Sequence, residues 1–384
     1  MAASYTAVRA GRTRVGSAPV GGGSERLSGG AVALQFTLFF VATGVIFLSG
    51  SRLPVHGKVL ADRLGISATA VGLFVLAIIT SLPELSVTLS AMLAEHAPDL
   101  ALGNILGSNN FNITAIAALE FTLIGGGLLA RTDGRRFSRT CILLLVMTLV
   151  IGAGVLLGRG SMPPFATAAV FSLPIVVLFV VDSLVNRRKK PGGADVAPTG
   201  GSSGADGRSA PEGEEQPTVT VAAASFAVLS LLVIAAGVVI ARSAAEIAEH
   251  PFGGRLVLGH TFVGTLLVAI ATSLPEVTVA TAAVRRAKSP DMAIGTLLGS
   301  NSINIIVFAV GAPLLLTSGA KTAWSGLSPV NTVNVAAGII LTLLVLSGLR
   351  VGWLHESKTR ARLLALALVP VYLIALWLVR RSGA

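Results

Sequence analysis

Two blocks of this chain recur at one fixed distance, and that restricts its fold more than any other feature. Residues 80–91 read TSLPELSVTLSA and residues 272–283 read TSLPEVTVATAA. Residues 98–113 read PDLALGNILGSNNFNI and residues 290–305 read PDMAIGTLLGSNSINI. Every matched pair lies 192 residues apart, so both blocks and the spacing between them repeat without a gap. A duplicated unit accounts for this, and the fold must accommodate two copies.

The copies lie in a chain that is 53% apolar and only 12% charged, which places it among integral membrane proteins. Ten apolar stretches are long enough to cross a hydrocarbon core, near 31–50, 64–94, 100–130, 140–158, 163–184, 219–241, 256–284, 291–317, 329–348 and 363–379. They lack the alternation of barrel strands, and backbone polar groups inside a bilayer must be satisfied internally, so an all-α membrane protein is expected. Each copy contributes five spans. An odd number makes the second copy enter from the opposite face, which gives ten transmembrane helices as two inverted five-helix repeats, with a site near the midplane at their interface. The expected organisation is a disordered tail over 1–30, a first half over 31–186, a flexible linker over 187–218 rich in Gly, Ser and Pro, and a second half over 219–380.

The formal charge of +11 does not call for nucleic acid. With the linker on the cytoplasmic side, the inside loops carry 19 of the 29 Lys and Arg residues, as the bias of basic residues toward cytoplasmic loops requires. The termini then face out, and a multi-pass plasma-membrane protein is expected. The one cysteine, Cys141, can form neither an internal disulfide nor a metal cluster. No nucleophile paired with a base, no phosphate-binding loop and no redox-cofactor motif occurs, which argues against an enzyme or a bound cofactor.

Within the repeats, Glu84 and Glu276 occupy matched positions in spans without Lys or Arg, so protons or bound cations must neutralise them. Two carboxylates converging on one site match a divalent cation, and hard oxygen ligands suit calcium. Pro83 and Pro275 each free carbonyls in the preceding turn, which a cation can use. Thr80 shares a helix face with Glu84, as Thr272 does with Glu276, Ser108 with Asn112 and Ser300 with Asn304. Asn112 and Asn304 offer neutral oxygens for a weakly held monovalent ion. The glycines at 103, 107, 295 and 299 let helices approach closely. A plainer alternative makes the glutamates protonated hydrogen-bonding partners between helices, and Asn109 and Asn301 interhelical donors. Glu120 lacks a matched acid and is expected in a vestibule or at the interface, while Asp99 and Asp291 are expected to cap helices.

These two blocks resemble those of the sodium/calcium exchangers of the calcium/cation antiporter superfamily, whose repeats carry G-T-S-x-P-E and G-S-N-x-x-[ND]. The resemblance covers both repeats and the ten-span layout. It implies an antiporter of Ca2+ against Na+, with calcium held by Glu84, Glu276 and the carbonyls of Thr80 and Thr272. It further implies counter-ion sites at Ser81, Ser108, Ser273 and Ser300 with the carbonyls of Ala77 and Ala269. The chain departs from the pattern at Ile79 and Ala271, where glycine is usual, at Thr296, where asparagine is common, and at Asn304, where some relatives carry aspartate. The amide at 304 points away from potassium dependence, and Ser-Leu-Pro-Glu at the glutamate favours sodium over protons. The partners expected are the transported cations and the lipid bilayer, with a single chain as the functional unit. Exchange of Ca2+ or another divalent ion for H+ is the alternative, and a cation channel a more distant one.

Overall fold

A computed structural model describes residues 29–63, 79–122, 128–132, 134–158, 163–188, 218–252, 256–285, 290–314, 324, 327–350 and 358–382. In chain order the helices are α1 (Gly29–Gly50), α2 (Leu53–Arg63), α3 (Leu82–Leu93), α4 (Pro98–Thr122), α5 (Gly134–Leu157), α6 (Leu173–Arg188), α7 (Val219–Glu249), α8 (Ala269–Arg285), α9 (Pro290–Leu314), α10 (Asn331–Arg350) and α11 (Lys358–Ser382). The π-turns Ala168–Ser172 and Gly264–Val268 lead into α6 and α8. Eight helices among the described residues are long and apolar enough to cross a membrane, which makes this a multi-pass membrane protein. The expected span at 100–130 corresponds to α4, whose four asparagines and Glu120 dilute its apolar character. Of the span at 64–94, residues 64–78 lie outside the described residues. Between the first two expected spans lies α2, in which Leu53 buries against Ile79 and Val233.

Burial sorts the helices into a periphery and a centre. Only 17% of the apolar window of α1 and 22% of that of α7 is buried, against 56% around α8 and 67% in α9. Leu34, Leu38, Phe40, Val41 and Leu48 of α1 point outward, as lipid-facing side chains do. α1 packs on α7, α7 on α3, and α4 on α8, α9, α10 and α11. The helices bearing the repeated blocks therefore form the core, and their polar residues face one another.

Close approach in that core depends on glycine. A Cβ at Gly107 would lie 2.5 Å from the Thr265 carbonyl oxygen, and one at Gly264 would lie 2.5 Å from that of Leu100. α4 and the turn entering α8 thus touch backbone to backbone. Gly259, with φ of 81°, turns the chain into His260–Val263 in a conformation that L side chains rarely adopt. Asp99 lies in the first turn of α4, and its Oδ1 accepts 2.7 Å bonds from the Ser328 N–H and the Asn331 side-chain amide, which fastens the start of α10 to α4.

Candidate cation site

The same five residues, Thr-Ser-Leu-Pro-Glu, take two backbone forms. In the first copy Ile79 and Thr80 are helical, Ser81 breaks the run with ψ of 9°, and α3 begins at Leu82 with Pro83 in its first turn. Proline fits there, because an N–H at that point has no helical acceptor. In the second copy α8 continues through Pro275 as an interior proline. Both arrangements deliver a glutamate to the centre, and Glu84 and Glu276 are fully buried.

Hydroxyl and amide groups surround the carboxylates in pairs. The Thr80 and Ser300 hydroxyls lie 3.3 Å apart, and their counterparts at Thr272 and Ser108 are also 3.3 Å apart. Asn109 donates to the Asn301 carbonyl at 3.1 Å, and Asn301 donates to the Asn109 carbonyl at 3.1 Å. The Asn112 amide donates to Asn301 Oδ1 at 3.0 Å and the Asn304 amide to Asn109 Oδ1 at 3.1 Å. Each contact has its mate 192 residues on, so α4 and α9 exchange equivalent bonds across their interface. The interhelical role considered for Asn109 and Asn301 is what the structure gives them, and the Asn112 and Asn304 amides share it.

The carboxylates are satisfied unequally. Ser273 Oγ donates to Glu84 Oε1 at 3.2 Å. Glu84 Oε2, both carboxylate oxygens of Glu276, Ser81 Oγ, and the Oδ1 atoms of Asn112 and Asn304 are buried without a hydrogen-bond partner. The contact of His260 Nε2 with Glu249 Oε1, at 3.4 Å, lies elsewhere. Nothing basic among the described residues therefore neutralises Glu84 or Glu276, and two buried, uncompensated carboxylates are strongly unfavourable until a cation or proton joins them. No cluster of three or more His, Cys, Asp or Glu residues occurs among the described residues. A cation held here would have two carboxylates and otherwise neutral oxygens, a hard donor set.

Of the residues expected at the site, Thr80, Ser81, Glu84, Ser108, Asn112, Thr272, Ser273, Glu276, Ser300 and Asn304 are all buried in this region. The Ala269 carbonyl accepts a 3.4 Å contact from Ser108 Oγ. Ala77 lies outside the described residues. Glu120 departs from expectation: it is fully buried, and Oε2 accepts the Leu129 N–H at 3.3 Å, so it fastens the chain that follows α4. Asn104 has no counterpart in the second copy, where Thr296 stands, so the symmetry of the repeats does not single it out, and its Oδ1 accepts from Thr272 Oγ1 at 3.2 Å.

An all-helical membrane chain whose buried, oxygen-lined centre is assembled from two copies of one motif is a carrier for cations, not an enzyme. The chain belongs to the sodium/calcium exchanger protein family, whose model matches residues 34–182 and 221–380, as the two blocks led one to expect. It is 29% identical over 289 residues to the inner membrane protein YrbG of Escherichia coli (strain K12), covering 74% of this chain and 81% of that one. Its fold is similar to that of the H+/Ca2+ exchanger CAX, with a TM-score of 0.61 and 14% identity over 91% of this chain and 86% of that chain. It is also similar to the sodium-calcium exchanger NCX_Mj, with a TM-score of 0.52 and 22% identity over 90% of this chain and 98% of that chain. At these identities the structural likeness concerns the fold alone. The family makes the protein a calcium/cation exchanger.

Proposed function

We propose that the protein exchanges Ca2+ for Na+ across the plasma membrane by alternating access. One observation carries this reading: the buried atoms left without partners at the centre are all oxygens, on Ser81, Glu84, Asn112, Glu276 and Asn304. Buried polar atoms ordinarily find partners, so a group of unpaired oxygens facing one interface is a place for a cation. In this reading Glu84 and Glu276, with the Thr80 and Thr272 carbonyls, hold Ca2+. Na+ takes the oxygens of Ser81, Ser108, Ser273, Ser300, Asn112 and Asn304, with the carbonyls of Ala77 and Ala269. The reciprocal bonds between α4 and α9 support two inverted five-helix halves, and the distribution of Lys and Arg supports a cytoplasmic linker with the termini outside. Because one chain supplies both halves of the site, one chain is the functional unit.

Coupling follows from charge. An empty site with two bare carboxylates is too unfavourable to be carried through the membrane, whereas one neutralised by a divalent ion or by monovalent ions can move. Labelled Ca2+ uptake into proteoliposomes of the purified protein tests this. Uptake driven by an outward Na+ gradient and abolished in a folded Glu84→Gln variant is the expected result; near-normal flux in that variant would overturn the site. Exchange for H+ is the second reading, favoured by Glu276, since a carboxylate with neither oxygen bonded can be neutralised by a proton as well as by a cation. Uptake driven only by an outward proton gradient would select it.

A further inference from the structure

Asn104 lies fully buried on α4 and joins three helices. Its Nδ2 donates to Thr88 Oγ1 of α3 at 3.1 Å, and its Oδ1 accepts from Thr272 Oγ1 of α8 at 3.2 Å. No matching arrangement exists in the other copy. Thr296 stands in place of Asn104, and its hydroxyl donates to the Met292 carbonyl of its own helix at 2.9 Å. The counterpart of Thr88 is Ala280, which has no side-chain polar atom. The asymmetry continues beside the carboxylates: Ser273 donates to Glu84 at 3.2 Å, whereas its counterpart Ser81 has a buried hydroxyl without a hydrogen-bond partner.

A threonine hydroxyl carries one proton and two lone pairs. The Thr272 hydroxyl also lies 3.4 Å from the Ala269 carbonyl and 3.3 Å from Ser108 Oγ, and Asn104 Oδ1, at 3.2 Å, is the nearest of these acceptors; a proton sent there is withheld from the Ala269 carbonyl and leaves the lone pairs to the site. The donor from Asn104 to Thr88 fixes the amide, and so fixes where that proton goes. We propose that Asn104 is a positioning residue of the cation site: by holding the Thr272 hydroxyl it presets the Glu84 half for a divalent ion, while the Glu276 half adjusts to the ion as it binds. This rests on the reading of Glu84 and Glu276 as calcium ligands. A rigid half-site should also sharpen discrimination by ion size, because a fixed cavity cannot relax around a larger cation.

The test is Ca2+ uptake kinetics in proteoliposomes of the full chain, with Sr2+ as competitor. Asn104→Ala should raise KM for Ca2+ about tenfold, the size of one lost hydrogen bond, with Vmax changed less than about twofold and Sr2+ competing more effectively. Thr88→Val keeps the side-chain volume and removes the hydroxyl, so it should raise KM about threefold, whereas Thr88→Ser keeps the hydroxyl and should leave KM unchanged. A role limited to packing gives the reverse order, since serine leaves a void and valine does not. The Thr88 pair decides the matter even if Asn104→Ala fails to fold. Unchanged KM in Thr88→Val, or a larger rise in Thr88→Ser, overturns the assignment. Absence of uptake by the unaltered protein under every gradient overturns the calcium reading itself.

Discussion

Gly107 and Gly295 belong to the same small-residue pattern of the two repeats, and the structure gives their replacement by alanine opposite signs. A Cβ at Gly107 would stand 2.5 Å from the Thr265 carbonyl oxygen, 2.6 Å from its Cα and 2.8 Å from the Ala269 Cβ. Two of those atoms are backbone, so no rotamer change relieves the contact, and the helices must separate by nearly an ångström to restore ordinary packing distances. Overpacking of this kind costs about 1–3 kcal/mol, and backbone contact belongs at the upper end. The gain in helix propensity from glycine to alanine is roughly 0.5–1 kcal/mol, so a net loss of about 1–2 kcal/mol remains. At Gly295 the nearest atoms are ring carbons of Phe137 at 3.4 and 3.6 Å, and the propensity gain stands almost alone. Thermal unfolding of the two variants in detergent should therefore place Gly107→Ala a few degrees below the unaltered protein and Gly295→Ala at or slightly above it. Gly107→Ala should also slow Ca2+ uptake, because the shift falls between helices that carry Asn112 and Glu276. A Gly107→Ala protein as stable as Gly295→Ala would refute the claim that backbone contact sets the α4 to α8 distance.

Asn109→Ala removes the acceptor of the buried Asn304 amide, at a cost of about 1–3 kcal/mol, and takes from the Asn301 carbonyl a second donor besides its helical one. Its thermal midpoint should fall by more than that of Asp99→Asn, and Ca2+ uptake measured at a temperature where the protein stays folded should fall with it. Asp99→Asn keeps the shape but replaces a charged acceptor of two 2.7 Å bonds with a neutral one, for a loss of about 1–2 kcal/mol. That variant should unfold at lower temperature with KM for Ca2+ unchanged, since Asp99 holds the start of α10 and not the cation site. A raised KM would show that the clamp reaches the ion.

What the sequence reveals here depends on symmetry. Glu84 and Glu276 are legible because the repeat places each at the position of the other, and an unpaired carboxylate in an apolar span demands a partner. Asn104 is hidden by the same logic: a search for matched residues discards a position whose mate is Thr296. Its importance appears only when α3, α4 and α8 converge and bring Thr88 and Thr272 to either end of one amide. α2 is hidden for a different reason. Its sequence LPVHGKVLADR is too polar to mark a span, and the burial of Leu53 against Ile79 and Val233 stabilises it through contacts distant along the chain. Glu120 looks amphipathic in isolation, but the turn Leu129–Arg131 that folds back over it supplies a backbone donor that no periodicity announces.

The different backbones of the two Thr-Ser-Leu-Pro-Glu segments bear on how such a protein can move. Their local sequences are the same, so tertiary contact must choose between a break at Ser81 and a continuous helix through Pro275. Gly50, at the end of α1, shows one such contact, since a Cβ there would lie 2.8 Å from Pro275 Cγ and 4.0 Å from Pro83 Cγ. An interior proline costs about 3 kcal/mol, while a first-turn proline costs little, so the strain sits in the second copy. If access alternates by exchange of the two halves, the opposite-facing state carries the break in the second copy and the interior proline in the first. The strain then moves from one half to the other without changing greatly in size. Two states separated by so small a difference can be shifted by the binding energy of an ion, whereas a strain confined to one state would hold the carrier on one side.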